Sequence, residues 1–532
     1  MTSDRSLVTG DTDGRRTALP DTADLVVVGA GHNALVTAAY CAAAGLEVVV
    51  LEASPTVGGN TRTEELTLPG FAHDSCSSAH VLIQSNPLIR DDELGLFADH
   101  GLQYLPTDPA VVLPQPDGDL LVMHRDLDAT AGELARWSGE DARAFRALVE
   151  EWHDGMAAVH GRWSSGLDLG NTPATRRYRA LRERSAWDVV HERFETPQAR
   201  SFVLWLAMAT IQDPRRPGTG FLPSAITAGR LSFGWSTPVG GSEALPRALV
   251  RKVESHGGRV CCSAAVDRIE VKGARAVAVR TADGRRVRAR EGVVSSAHLV
   301  HLAGMLEGVD PPGDLVTARD SWRPGLSVFA VHAALRGDLS FRGADGPVAA
   351  VAAGLGTADG VVAQLDALYA GEADARDPWL LVVDQTVVDP GRAPDGGATF
   401  KILTVAPYER RDGRPWSETK NRLAAELLDL VRQRVDGLGA DDVLAVRAES
   451  PVDVHAHNPH NLGGSCHGGE FVTPDGGVVA GWPTYTTSVE RLFLTGATTH
   501  PGGSVSGRPG RNAARAVLQR LGMEPGAVMG PG

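Results

Sequence analysis

Lysine is scarce in this chain, 4 against 48 arginines in 532 residues. Positive charge as a whole is in deficit: 52 basic against 65 acidic side chains leave a formal charge of −13. That balance argues against a general nucleic-acid partner or an anionic membrane surface, because both rest on excess Lys and Arg. The one basic run, "TRRYRALRER" at 175–184, reads as a solvated helix face of five arginines and leaves room only for peripheral membrane contact. Cysteine is also sparse. Cys41, Cys76, Cys261, Cys262 and Cys466 are odd in number and form no CxxC pair, so neither a zinc site nor a disulfide framework is indicated, and a reducing cytoplasm fits. Vicinal Cys261 and Cys262 fall in a strand, whose alternation sends them to opposite faces and into packing.

Long apolar runs are missing too. Residues 25–46 hold 22 positions without a formal charge, but Gly29, Gly31, His32 and Asn33 interrupt them. The next candidate, "SFVLWLAMATI" at 201–211, is too short to cross a bilayer. No apolar segment with a small-residue cleavage site follows Arg15-Arg16, and 1–21 reads as a disordered tail.

What the uncharged run does contain is a strand "LVVV", a turn "GAGHNA", a helix "LVTAAYCAAAG" and a strand "EVVVL". Gly29, Gly31 and Ala34 fit the GxGxxG/A pattern between strand and helix. The first glycine permits the tight turn, the second lets backbone approach a pyrophosphate, and the small third residue allows close packing. The helix N-terminus offers free N–H groups to the phosphates. Glu52, 18 residues after Ala34, ends the second strand where a carboxylate can accept from ribose hydroxyls. An acid there disfavours NADP and leaves FAD and NAD. "EASPTVGGNTRT" then places Gly58, Gly59 and Arg62 where the chain can fold back over a diphosphate.

On these residues the sequence resembles the FAD-binding amine oxidase and phytoene desaturase superfamily. The resemblance implies that Glu52, Gly58, Gly59 and Arg62 contact FAD. It extends to "TPVGGSEALPRALVRKVESHGGRVCCSAAVDRIEV" at 237–271, a helix capped by Ser242 and two strands, where the backbone of Val266 would face the adenine. A hairpin at "ADG" (282–284) and a separate apolar strand "GVVSSA" (292–297) are expected next. "PGFAHDSCSSAH" (69–80), "DPGRAPDGG" (389–397), "SPVDVHAHNPHNLGGSCHGGEF" (450–471) and "LTGATTHPGGSVSGRPGRNAA" (494–514) narrow the similarity to a bacterial phytoene desaturase-like subgroup with vertebrate mitochondrial members, over nearly everything after residue 22.

The implied fold is α/β, a Rossmann-like FAD-binding domain built from discontinuous segments (22–95, 232–305 and 485–532) with an interleaved α+β substrate-binding domain (96–231 and 306–484). The last segment returns the chain to the first. Gly496 and Ala497 would approach the diphosphate and ribityl chain, a helix from about Gly510 would point its N–H groups at the flavin, and Gly503, Ser504 and Val505 would lie by the reacting ring. Ala497 stands where many flavoproteins carry a ribityl-binding Asp.

The histidine-rich "HAHNPHNLGGSCHGG", with His455, His457, His460, Cys466 and His467, lacks a regular element to fix metal ligands and reads as a loop lining the active site, with no metal. His500 and His467 are the candidate proton acceptors, with His80 behind them. With one GxGxxG pattern, "GLGTADG" at 354–360 having the wrong spacing, the electron acceptor is expected to be oxygen or a quinone. The reading is a cytoplasmic FAD oxidoreductase that removes two hydrogens from a C–C or C–N bond of a small or medium-sized organic substrate. An amine or amino-acid oxidase, a carotenoid desaturase or isomerase, and a flavin-binding scaffold without turnover stand beside it. Arginine-heavy usage associates the chain with high-GC bacteria and their specialised metabolism.

Overall fold

The computed structural model describes residues 18–343, 346–472 and 477–530. Most of the expected N-terminal tail, residues 1–17, lies outside the described residues. Among the described residues no helix is long and apolar enough to cross a membrane.

Strand Thr22–Val28 is buried along its apolar half and lies between two parallel neighbours, Val48–Leu51 and Arg286–Ser295. Around it runs an eight-stranded sheet in the order Leu306–Glu307, Val266–Lys272, Arg275–Thr281, Arg286–Ser295, Thr22–Val28, Val48–Leu51, Arg259–Cys261, with Leu492–Leu494 also pairing on Arg286–Ser295. Parallel strands covered on both faces read as continuous apolar runs, which is what the inner members show.

Two expectations are corrected here. The hairpin strand and the separate strand expected at 292–297 are one strand, Arg286–Ser295. Its first half alternates exposed and buried residues while its second is wholly buried, so the change in pattern marks a change of neighbours rather than a break. Leu306–Glu307 adds the outermost strand to this sheet. Ser242 does not cap a helix. The helix starts at Ala244, and the Ser242 hydroxyl is spent on the Ser77 carbonyl and on His80 Nε2 at 3.1 Å.

Helix His32–Ala43 is buried from Asn33 to Ala42 and sits between helices Ala244–Ser255 and Arg508–Arg520. Alanines on its surface allow that closeness, and Gly510 shows how tight it is: a Cβ there would lie 2.4 Å from the Asn33 carbonyl oxygen.

The second sheet has seven strands in the order Val443–Glu449, Val328–Leu335, Ala398–Val405, Leu380–Asp384, Ala352–Leu355, Val111–Pro114, Leu120–Met123. The run at 201–211 lies, as far as Met208, in helix Pro197–Met208, buried from Phe202 to Met208 in one core with residues of this sheet. Trp205 ties the two together, donating its Nε1–H to the Leu380 carbonyl at 2.8 Å. Gly354 makes room for that indole, since a Cβ would come within 2.3 Å of it.

Candidate functional site

The GAGHNA turn ends strand Thr22–Val28 with Gly29 at φ +92°, a conformation L-residues avoid. Its missing Cβ also leaves room for Ser296 Oγ, 2.3 Å from where that atom would stand. Gly31 differs. Its backbone is ordinary extended chain (φ −64°, ψ 157°), and a Cβ there would meet no protein atom within 4 Å. It points into a cavity of about 740 Å³. Gly58 and Gly59 fold back over this turn, with Gly58 N–H donating to the Ala30 carbonyl at 2.8 Å. Glu52 binds both walls, accepting from Ala30 N–H at 2.6 Å and from Ser54 N–H at 2.8 Å. A carboxylate has about four acceptor positions, so two remain for ligand hydroxyls. Arg62 gives one nitrogen to Ser54 Oγ at 2.6 Å, while its buried Nε has no protein partner.

Gly29, Gly31, Ala34, Glu52, Gly58, Gly59, Arg62, Val266, Gly496, Ser504 and Val505 all line this one cavity; Gly503 lines an adjoining chamber of about 740 Å³. The two chambers meet at His467 and Ser504, which line both. Gly503 has no Cβ because one would stand 2.3 Å from the His467 carbonyl oxygen, and its N–H donates to that oxygen at 3.1 Å. The closing helix begins at Arg508, two residues before the expected start, and its Gly510 N–H is held by Asn33 Oδ1 at 3.3 Å. The last segment therefore closes onto the first glycine turn.

A glycine cradle with room over its second glycine, an acid with spare acceptor positions at the strand end and an orphaned guanidinium nitrogen fit the adenosine diphosphate part of a dinucleotide. Together with the doubly covered parallel sheet, they define the class as a dinucleotide-binding protein. Residues 35–518 match the family described as flavin containing amine oxidoreductase, and the chain belongs to that family. It is an FAD-dependent oxidoreductase. One component of the limonene dehydrogenase of Castellaniella defragrans is 27% identical, with 94% of this chain and 95% of that protein covered. A lycopene-forming phytoene desaturase of Pseudescherichia vulneris is 24% identical over 91% and 96%. A solved triple mutant of putrescine oxidase shares the fold at TM-score 0.61 with 16% identity, covering 94% of this chain and 99% of that one.

The histidines separate. His467 lies where the chambers meet, with Nδ1 3.1 Å from Cys466 Sγ, and burial lowers its pKa and keeps it neutral. His500 lines neither chamber. Its Nε2–H donates to the Trp163 carbonyl at 2.7 Å and its ring meets the Trp163 indole edge-on at 4.7 Å, so it braces a wall. His80 is locked between Tyr104 Oη (2.9 Å) and Ser242 Oγ, outside the cavity lining. The histidine-rich segment contains a regular element after all, helix Pro451–His457, started by a capping box between Ser450 and Asp453. Asn458 and Asn461 bond Asn60 at 2.8 and 3.1 Å, which brings His457 and His460 to the cavity, while His455 turns away to the Tyr408 hydroxyl at 2.8 Å. Among the described residues no group of three or more His, Cys, Asp or Glu is placed to hold a metal ion.

The basic run also divides. Arg176, Arg177 and Arg179 are exposed on helix Pro173–Arg182, whereas Arg182 turns inward over the Trp163 ring at 4.0 Å. Sequence reasoning missed Lys401, one of the few lysines, set in the apolar strand Ala398–Val405. Its buried Nζ donates to the carbonyls of Cys76 (2.6 Å) and Asp74 (3.0 Å), clamping "DSCSS" against the cavity. A lone lysine in a strand otherwise free of charge was the available signal.

Proposed function

We propose that the protein uses FAD to dehydrogenate a C–C or C–N single bond of a small or medium-sized organic substrate, with oxygen or a quinone as the final acceptor. In this reading 22–95, 232–305 and 485–532 hold the cofactor, and the intervening segments bring the substrate. The observation that carries it is the continuity of the cavity. The cradle of Gly31, Glu52 and Gly59 opens directly into an apolar chamber walled by Ile211, Ile226, Trp235, Leu381, Val383 and Leu403. When bound, FAD supplies a two-electron acceptor for a hydride from a substrate C–H bond. Apolar walls exclude water from the reacting carbon. Neutral His467, held through Nδ1, is positioned to take at Nε2 the proton that leaves when a double bond forms. The limonene dehydrogenase and the phytoene desaturases among the relatives support hydrocarbon-like substrates; the putrescine oxidase fold keeps amines in play.

Anaerobic mixing of the holoprotein with saturated candidate substrates should bleach the flavin and yield a product with a new C=C or C=N bond by NMR. Air or menadione should then restore the absorbance. A flavin that no substrate bleaches and that, once photoreduced, neither acceptor reoxidises on a catalytic timescale would overturn the reading in favour of a scaffold.

A further inference from the structure

Arg230 sits near the end of helix Leu222–Phe233, is 6% exposed and lines the apolar chamber. Its Nε and Nη1 are buried without a hydrogen-bond partner, and among the described residues no carboxylate acts on its charge. Its guanidinium lies 4.3 Å from the centroid of the Trp235 ring, and Trp235 Nε1, buried in the same lining, also lacks an acceptor. Burial alone pulls the Arg230 pKa down to about 9, which still leaves it charged at neutral pH.

A buried, unpaired charge is unfavourable, and the cation–π contact with Trp235 and the helix C-terminal dipole offset only part of that cost. Two residues that line the same apolar cavity and carry buried donors with no protein acceptor leave an acceptor to be brought by a ligand. The matching group is a carboxylate, which takes guanidinium donors in bidentate fashion.

We propose that the Arg230 guanidinium and the Trp235 indole N–H form a carboxylate-binding subsite, so that the substrate is an amphipathic acid with an apolar body beside the flavin and its carboxylate on Arg230. This rests on the dehydrogenase reading and narrows it from organic molecules at large to hydrophobic acids. Arg230 and Trp235 are positioning residues, and no chemistry is assigned to them.

The test is calorimetric titration of the holoprotein with 3-phenylpropionate, decanoate and the neutral analogue 3-phenylpropanamide. At least one carboxylate should bind, and 3-phenylpropionate should bind at least tenfold tighter than the amide. Arg230→Met should abolish that preference while leaving FAD content unchanged and the melting temperature equal or higher, because it removes an unpaired buried charge. Arg230→Lys should keep part of the preference, and Trp235→Phe should weaken carboxylate binding several-fold. The exposed Arg176→Met serves as the control and should change nothing. The proposal is overturned if neither acid binds, if the amide binds equally well, or if Arg230→Met leaves carboxylate affinity intact. It is also overturned if Arg230→Met lowers the melting temperature while Trp235→Phe binds the acids normally, since Arg230 would then be structural. Carboxylate binding without flavin reduction by any substrate would sink the dehydrogenase reading and leave the subsite standing; reduction by neutral substrates with no preference for acids would do the reverse.

Discussion

Gly29 and Gly31 share one turn, yet the reasons for their being glycine are opposite. At Gly29 the protein itself forbids a side chain, through φ +92° and Ser296 Oγ at 2.3 Å. At Gly31 nothing in the protein does, so only the ligand can. Gly31→Val should therefore leave the melting temperature of the apoprotein within about 2 °C of wild type, as expected for a change of at most ~0.5 kcal/mol. FAD affinity should fall by two orders of magnitude or more, read by fluorescence titration of the apoprotein. Gly29→Ala should instead destabilise the apoprotein itself. If both variants melt alike, the cavity over Gly31 is not the diphosphate site. Glu52 is intermediate, because it supports the protein and the ligand together. Glu52→Ala removes charged hydrogen bonds worth about 1.5–3 kcal/mol, so FAD should bind roughly ten- to a hundredfold more weakly and the apoprotein should also soften.

At the scale of elements, the site depends on how closely helix Arg508–Arg520 can approach helix His32–Ala43. Gly510→Ala gains about 1 kcal/mol of helix propensity, but its Cβ would stand 2.4 Å from the Asn33 carbonyl and 2.7 Å from Val36 Cβ. Neither the carbonyl nor the buried Val36 can retreat cheaply, so overpacking wins, with a net loss of about 1–3 kcal/mol in urea unfolding. FAD affinity should fall with it, because the Gly510 N–H bond to Asn33 sits beside the glycine turn. Unchanged stability would mean that the helices part freely. This geometry also marks how much could be read in advance. The first strand, turn, helix and strand were legible because local glycines and apolar periodicity specify them, and the closing segment carried its own glycines. Helix Pro451–His457 was missed although Ser450, Pro451 and Asp453 form a capping box with proline at the first helical position, a signal hidden by the Asn, Pro and Gly that follow. The role of His500 could not be read, because Trp163, which accepts its hydrogen bond, is 337 residues away in sequence. Arg230 was equally silent, since what matters is that nothing pairs with it.

Over the whole molecule, burial acts on histidines in one direction. His73 and His80 are held at about 3 and His298 at about 2, each chiefly because burial disfavours the charged ring. In the unfolded chain the same groups titrate near 6.5. Above that value all three are neutral in both states and their contribution to stability is complete. As pH falls below it, the unfolded chain takes up protons that the folded protein refuses until about pH 3, so stability drops by up to about 1.4 kcal/mol per unit for each histidine. His457 works the other way. Its ion pair with Glu64 raises its pKa, so its contribution is complete below about 6.5 and fades as pH rises through the raised value. His32, His160 and His460 are held down by burial in the same way, and below about pH 6.5 His457 no longer offsets them, so the net loss on acidification reaches several kcal/mol per unit at its steepest. Urea midpoints measured on the FAD-loaded protein should be nearly level between pH 8 and 7 and fall steadily from pH 6 to pH 4.5. His298→Asn and His80→Asn should each flatten that fall by up to about 1.4 kcal/mol per unit, whatever they do to stability at pH 8. A curve that stays level down to pH 4.5 would mean that these rings gain protons in the folded state, and that the neutral interior around the cavity, on which the assignment of His467 as a proton acceptor also depends, is wrong.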